Sequence, residues 1–488
     1  MEMNLANAVR FALDITLKAT FLLLVTGVAL LLLKRASASA RQLVATLGDA
    51  VRTDPVSCEN YRFDWSRDQT AGVPIAVVRP RDAAEVQATV RWAATHRVPV
   101  VPRGAGSGLS GGSSAVSGGI VISLERMRSV EIDVAARVAV VEPGAFNAEV
   151  KAAAAQHGLW YPPDPSSYEI CSIGGNIATN AGGLCCVKYG VTTDYVLGLD
   201  VVLADGTLIT LGGKRIKDVA GLSLLKLFIG SGGTLGIITG AILRLIPAQG
   251  PRSTLVAYFP TVQAAADTVV TIGKTLRASM MELMDQASIN AVEDYRSMGL
   301  DRSAGAMVIA QSDAPGAACA AEIEFMEVVC TTGGAKEVFV TNDPDEGELF
   351  IAARRAAFPA IEARGSILLE DVGAPVPQLP QLLSGIAALA EKYAVEIPVV
   401  AHAGDGNTHP IIVFDRGDAE ASERAYLAFN EIMQLAIELG GTITGEHGVG
   451  RAKKAALPAQ LGPDVMALSL TIKKALDPLD ILNPGAIF

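Results

Sequence analysis

Three of the chain's five histidines fall in two short motifs. One runs His402-Ala403-Gly404-Asp405-Gly406-Asn407-Thr408-His409. The other runs Gly445-Glu446-His447-Gly448-Val449-Gly450-Arg451. His402 and His409 flank a tight Gly-Asp-Gly-Asn turn, so both rings could converge on one ion, with Glu446 adding a carboxylate. Two imidazoles and a carboxylate with an open position suit Zn²⁺, and also Mn²⁺ or Fe²⁺. Turn-capping histidines beside a surface Glu-His pair are the competing reading, and spacing alone leaves both open.

A second stretch could grip a phosphate. It comprises Pro102, Arg103, Gly104, Ala105, Gly106, Ser107, Gly108, Leu109, Ser110, Gly111, Gly112 and Ser113, with five glycines in the nine residues from Gly104. Glycines let backbone N–H groups turn inward where a Cβ would block approach, and successive inward N–H groups form an anion site. Ser107, Ser110 and Ser113 can add hydroxyl donors. A flexible Gly/Ser loop is the bland alternative. The spacing is not that of a Walker A loop. The frame Gly106, Gly108, Gly111 fits a dinucleotide fingerprint, but a strand rather than a helix follows it, which argues against a Rossmann turn.

A third stretch starts at Trp160-Tyr161 with Pro162, Pro163, Asp164, Pro165 and Ser167. It continues through Ser172, Gly174, Gly175, Asn176, Thr179, Asn180 and Gly183 to Tyr189. Prolines stiffen its first half and glycines thin its second, as main chain lying flat along a ligand requires. Ser172, Asn176, Thr179 and Asn180 could bond ring or ribityl oxygens, unless the stretch is a decorated loop.

The elements around these motifs alternate. Ile75–Val78 reads as a strand, and Asp82 as the cap of a helix over Ala83–Thr95. A strand over Val98–Val101 enters the glycine loop. Strands at Ile120–Ser123 and Val138–Val141 and a helix over Asn147–His157 follow. Val201–Leu203 and Leu208–Leu211 flank an Ala204-Asp205-Gly206 turn, a hairpin signal. Short strands at 236–239 and 241–245 close this region. A boundary falls near Pro247–Pro251. Beyond it, helices are expected over Thr261–Leu276, Ser288–Met298 and Glu420–Leu439, with strands at Leu255–Phe259 and Met307–Ala310.

The 488 residues admit two or three domains. Half are hydrophobic, so a large core is expected, and the net charge of −11 argues against nonspecific nucleic-acid binding. None of the six cysteines forms Cys-x-x-Cys, so this chain supplies no cysteine zinc site or iron–sulfur cluster. The vicinal pair Cys185-Cys186 reads as packing, and a reducing compartment is the default. Ala19 to Leu33 is an uncharged apolar run, extendable back to Phe11. It reads as a membrane anchor, a signal peptide cleaved near Ala36-Ser37-Ala38, or an arm with no spanning role. Positive charge after the run places the remainder on the cytoplasmic side.

The glycine loop, the proline-rich stretch, Gly174-Gly175-Asn176, Lys188-Tyr189-Gly190 and Gly230-Ser231-Gly232 together resemble the FAD-linked oxidases of the p-cresol methylhydroxylase/vanillyl-alcohol-oxidase fold. Within that fold the chain is most similar to the glycolate oxidase flavoprotein and D-lactate dehydrogenase branch. The likeness runs in order from about Arg52 to the C-terminus. It implies an α+β fold, with FAD between two subdomains over 52–248, a cap over 250–440, and a tail over 441–488 returning to the FAD domain. An N-terminal hydrophobic helix over 1–45 precedes them.

The resemblance further implies that His402, His409 and Glu446 bind a divalent metal, Zn²⁺ first among the candidates. It makes His447 the base and Arg354 the substrate-carboxylate cation, and sets Asn483 near the flavin. Relatives with covalent FAD often carry a histidine in or beside the glycine loop; here there is none, so dissociable FAD is expected. Glutamates usual in the family are replaced by Gly232 and Gly240. A lysine found near Leu369 in dicarboxylate-preferring relatives is absent. The expected activity is oxidation of a small 2-hydroxy acid, D-lactate or glycolate, with 2-hydroxyglutarate oxidation or flavin binding without turnover as alternatives. Electrons would pass to a quinone, a cytochrome or an iron–sulfur partner. The expected setting is the cytoplasmic face of a bacterial inner membrane, with a homodimer compatible.

Overall fold

The computed structural model describes residues 41–488. The apolar run at 11–33 lies outside them. Among the described residues no helix is long and apolar enough to cross a membrane.

Two sheets carry the first half. A four-stranded sheet orders Val51–Arg52, Ala76–Val78, Ile120–Ser123 and Val100–Arg103, with the last three parallel. The crossover helix is Ala83–His96. Asp82 accepts from Glu85 N at 2.9 Å to cap it, a contact worth about 1 kcal/mol. Val86, Val90 and Ala93 are buried along one face, and Arg97 stops the helix in the left-handed region. The second sheet is antiparallel, ordered Val130–Asp133, Val138–Val141, Ile237–Arg244, Val196–Val202 and Leu208–Gly212.

The two short strands expected near 236–245 are one strand with a register shift between Ile238 and Gly240. A Cβ on Gly240 would stand 2.9 Å from an Asp200 carboxylate oxygen, so the glutamate usual at this position would meet a like charge.

The second half is built on an eight-stranded sheet, with adjacent strands antiparallel. Helices Val262–Gly273, Ala317–Thr332, Leu379–Tyr393 and Ala419–Glu438 cover one face, and Gln286–Tyr295 and Pro344–Glu362 the other. The chain then returns: Val100 donates to Ile481 O at 2.7 Å, and Asn483 N donates to Val100 O at 2.7 Å.

One expectation needs correction. The stretch over Ser172–Thr179 is not flat loop. Ile173–Thr179 is a short helix, with Ser172 as its N-cap. Gly174 is required there by packing, since a Cβ would stand 2.7 Å from Pro143 Cβ.

Candidate active site

The register of two strands gathers His402 and His409. Val399–His402 and Asn407–Phe414 form a hairpin in which Val400 opposes His409 and His402 opposes Asn407. Directly opposed residues share a face, and faces alternate with period two. His402 and His409 therefore project from the same face. Their ring centroids are 5.1 Å apart. The following segment brings His447 into a stack on His409, with centroids at 5.0 Å.

Glu446 is the point of convergence. Its Oε1 lies 3.3 Å from His402 Nε2, 3.1 Å from His409 Nε2 and 3.8 Å from His447 Nε2. Asp371 closes the cluster from behind. It accepts from the backbone N of His447 at 2.8 Å and of Glu446 at 3.0 Å. Ligand atoms of Asp371, His409, Glu446 and His447 all lie within 4.8 Å of one another, and Nδ1 of His409 is buried without a hydrogen-bond partner. Clustered imidazole and carboxylate donors of this kind fit a divalent cation; of the expected ligands this group holds His409 and Glu446 but not His402.

The electrostatics agree. Burial opposes charge on His402, but Glu282 and Glu446 outweigh it and hold its pKa well above the usual range. Burial likewise opposes ionisation of Glu446, and His402 and His409 overcome it, keeping the carboxyl well below its ordinary value. A bound cation would displace the His402 proton, since a ligating imidazole is neutral. Burial lowers His447 to about 4, against the pull of Asp371, so this ring is neutral near pH 7.

A cavity of about 350 Å³ joins this cluster to the glycine loop. Its walls include Gly104 to Leu109, Ser167, Ser172, Gly175, Asn176 and Thr179, and also Arg354, His409, Glu446 and His447. At two of its glycines the loop is too closely packed for a Cβ. A Cβ on Gly104 would be 2.2 Å from Ser172 Oγ. On Gly106, whose φ is +76°, it would be 2.0 Å from Arg103 Nη2. A thin cradle open to a large cavity fits a flat cofactor.

The other residues singled out from sequence stand behind these walls. Pro102 and Arg103 end the strand that enters the loop. Ser110 donates to the His447 carbonyl, and Ser113 to Asp64, so of the loop's three hydroxyls only Ser107 lines the cavity. Gly111 takes a φ of +75°. Asn483 Nδ2 donates to the carbonyls of Gly112 and Gly232, each at 2.7 Å, tying two glycine turns together. Asp164 accepts from Cys185 N, and Pro163 O from Asn147. Asn180 caps its helix in the left-handed region and accepts from Thr193 N. A Cβ on Gly183 would stand 2.4 Å from the Asp164 carbonyl. Tyr189 faces away from the cavity. It packs edge-on against Trp160 and hydrogen-bonds Asp313.

Two site residues escaped the sequence reading, Asp371 and Glu282. Both are buried carboxylates in apolar strand-like runs, Leu368-Leu369-Glu370-Asp371-Val372 and Met280-Met281-Glu282-Leu283-Met284. A charge in such a run needs a partner, and that signal could have found them.

Comparison with known proteins identifies the family and the fold. A family model described as an FAD binding domain matches residues 74–212, and one described as the C-terminal domain of FAD linked oxidases matches 249–487. Glycolate oxidase subunit GlcD of Bacillus subtilis (strain 168) is 41% identical over 432 residues, covering 88% of this chain and 92% of that protein. A D-lactate dehydrogenase of Archaeoglobus fulgidus is 34% identical, covering 88% of this chain and 95% of its own. Among solved structures, p-cresol methylhydroxylase with substrate bound superposes with a TM-score of 0.77 at 18% identity, covering 92% of this chain and 96% of that one; this likeness concerns the fold.

Proposed function

Because this chain belongs to the FAD-linked oxidases, we propose that it oxidises a small 2-hydroxy acid, D-lactate or glycolate, to the 2-oxo acid. The observation that carries the reading is the convergence of His402, His409 and His447 on Glu446, in the same cavity as Arg354 and the glycine cradle.

Arg354 binds the substrate carboxylate. It is buried, and its Nη2 has no hydrogen-bond partner in the protein. A guanidinium fork matches a carboxylate bidentately. His447 takes the hydroxyl proton, being neutral and next to Glu446. Asp371, 4.0 Å from its Nδ1, favours the tautomer with Nδ1 protonated and leaves Nε2 as the acceptor. His402, His409 and Glu446 would hold the divalent cation, Zn²⁺ or Mn²⁺, which when bound lowers the pKa of the substrate hydroxyl. FAD, when bound along the glycine cradle, supplies the hydride acceptor that no side chain can provide. Phe358, Leu369, Val400 and Ile411 line the cavity as well and exclude water from the reacting atoms. The reducing equivalents leave to an acceptor outside this chain: a quinone, a cytochrome or an iron–sulfur partner.

The test is an assay of 2-oxo acid formation with an artificial electron acceptor. D-lactate, L-lactate, glycolate and 2-hydroxyglutarate would be offered to the FAD- and metal-loaded protein. Turnover of D-lactate or glycolate is expected. No product from any acid overturns the reading.

A further inference from the structure

Glu282 touches both halves of the site. It sits on the central strand Met280–Asp285 with its side chain 1% exposed. Leu283 opposes Ala401 on the neighbouring strand, so the next step of that register sets Glu282 beside His402 on the same face. Its Oε1 lies 2.7 Å from His402 Nδ1, and its Oε2 lies 2.9 Å from Arg354 Nε. One carboxylate thus joins the histidine at Glu446 to the arginine of the same cavity.

We infer that Glu282 is a positioning residue that couples the cation site to the substrate-carboxylate clamp. The inference rests on the function proposed above. Toward His402, the carboxylate accepts the Nδ1 proton. That fixes the tautomer, leaves the Nε2 lone pair facing Glu446, and makes the imidazole a stronger ligand. Toward Arg354, the contact is an ion pair off the N–H axis. Nε and Nη2 of Arg354 and Oε2 of Glu282 are all buried without a directed hydrogen bond. Charge therefore holds the guanidinium at the wall of the cavity, and a guanidinium fork matches a planar carboxylate. Unpaired buried donors are costly unless a ligand completes them.

Neutral Gln at this position can serve only one side. Turned with its oxygen to His402, it offers N–H to a cation. Turned the other way, it donates to Nδ1 and forces the tautomer that cannot ligate through Nε2. Replacing Glu282 should therefore weaken cation binding and substrate binding together, while leaving the glycine cradle intact.

The experiment compares wild type with Glu282→Gln and Glu282→Asp as FAD-loaded full chains. Zn²⁺ and Mn²⁺ alone are titrated calorimetrically into chelator-treated protein. Binding of 2-hydroxy-2-methylpropanoate, a 2-hydroxy acid with no hydrogen on Cα to transfer as hydride, is followed through the flavin spectrum. KM and kcat are measured on the oxidisable acids. The expected result for Glu282→Gln is unchanged flavin content, a cation affinity lower by roughly 10- to 100-fold, and a clear loss of affinity for the probe acid. Glu282→Asp, which keeps the charge, should recover part of both. If the Gln variant fails to fold, the Asp variant decides alone, with smaller losses in both affinities. Cation and probe affinities within twofold of wild type, or a wild type that binds neither cation, overturn the inference. A wild type that binds both ligands but oxidises no acid would overturn the proposed function and leave this coupling standing.

Discussion

Glu446 Oε1 and His409 Nε2 face each other across 3.1 Å, although the end of a strand and a 20-residue helix separate them in the chain. The contact joins the hairpin of the large sheet to the segment that leads back toward the glycine loop. His402 and His447 point at the same oxygen.

Removing that oxygen's charge should therefore remove the cation. Glu446→Gln, or chelation of the wild type, is expected to leave bound FAD in place and lower turnover by at least two orders of magnitude, in line with metal-assisted proton removal. Elemental analysis and turnover on the same sample check this. Chelated wild type should recover with Zn²⁺ or Mn²⁺, and the variant should not.

Arg354 should show itself in KM. Arg354→Lys keeps a charge but loses the planar fork. We expect KM to rise about 10- to 100-fold, as for the loss of a charged hydrogen bond. Flavin content should be unchanged. Steady-state kinetics on the preferred acid reads both parameters.

The glycine cradle makes a separate prediction. Gly106→Ala places a Cβ in the left-handed region and against the Arg103 guanidinium. The backbone cost is about 1–2 kcal/mol. FAD affinity should fall about tenfold while the cation site keeps its affinity. Flavin release on dilution and Zn²⁺ titration separate the two.

Asp285 supplies a pH test of stability away from the reaction. Burial raises its pKa to about 6 against bonds from Ser288 N and Val399 N. A carboxyl raised on folding contributes stability that is present below its unfolded pKa and lost as pH rises through the folded value. A shift of about two units corresponds to about 3 kcal/mol. The Tm of Asp285→Asn relative to wild type should therefore rise between about pH 4 and about pH 7. Thermal unfolding at both pH values checks it, and a gap that stays constant would contradict the assignment.

Much of this was legible in the residues. The Asp82 cap, the Asn407-bounded turn and the apolar periods set several elements within two or three residues. The histidine motifs identified the ring cluster before any geometry. The Ile173–Thr179 helix was hidden because two glycines oppose helix formation locally, and only packing of Gly174 on Pro143 reveals why they are there. Glu282 and Asp371 were hidden for another reason. His402 lies 120 residues from Glu282 and His447 76 residues from Asp371, so tertiary packing, not spacing, brings them together. Ser110 and Tyr189 carry suitable hydroxyls, but backbone turns aim them at His447 O and Asp313.

The most direct test is anaerobic reduction of the bound flavin, followed by its visible absorbance, in wild type and His447→Ala. The account predicts that D-lactate or glycolate bleaches wild-type flavin. The variant should stay yellow, with reduction slowed about 10²- to 10⁴-fold as for loss of a general base. Equal bleaching rates in the two proteins, or none in wild type with any 2-hydroxy acid, would contradict it.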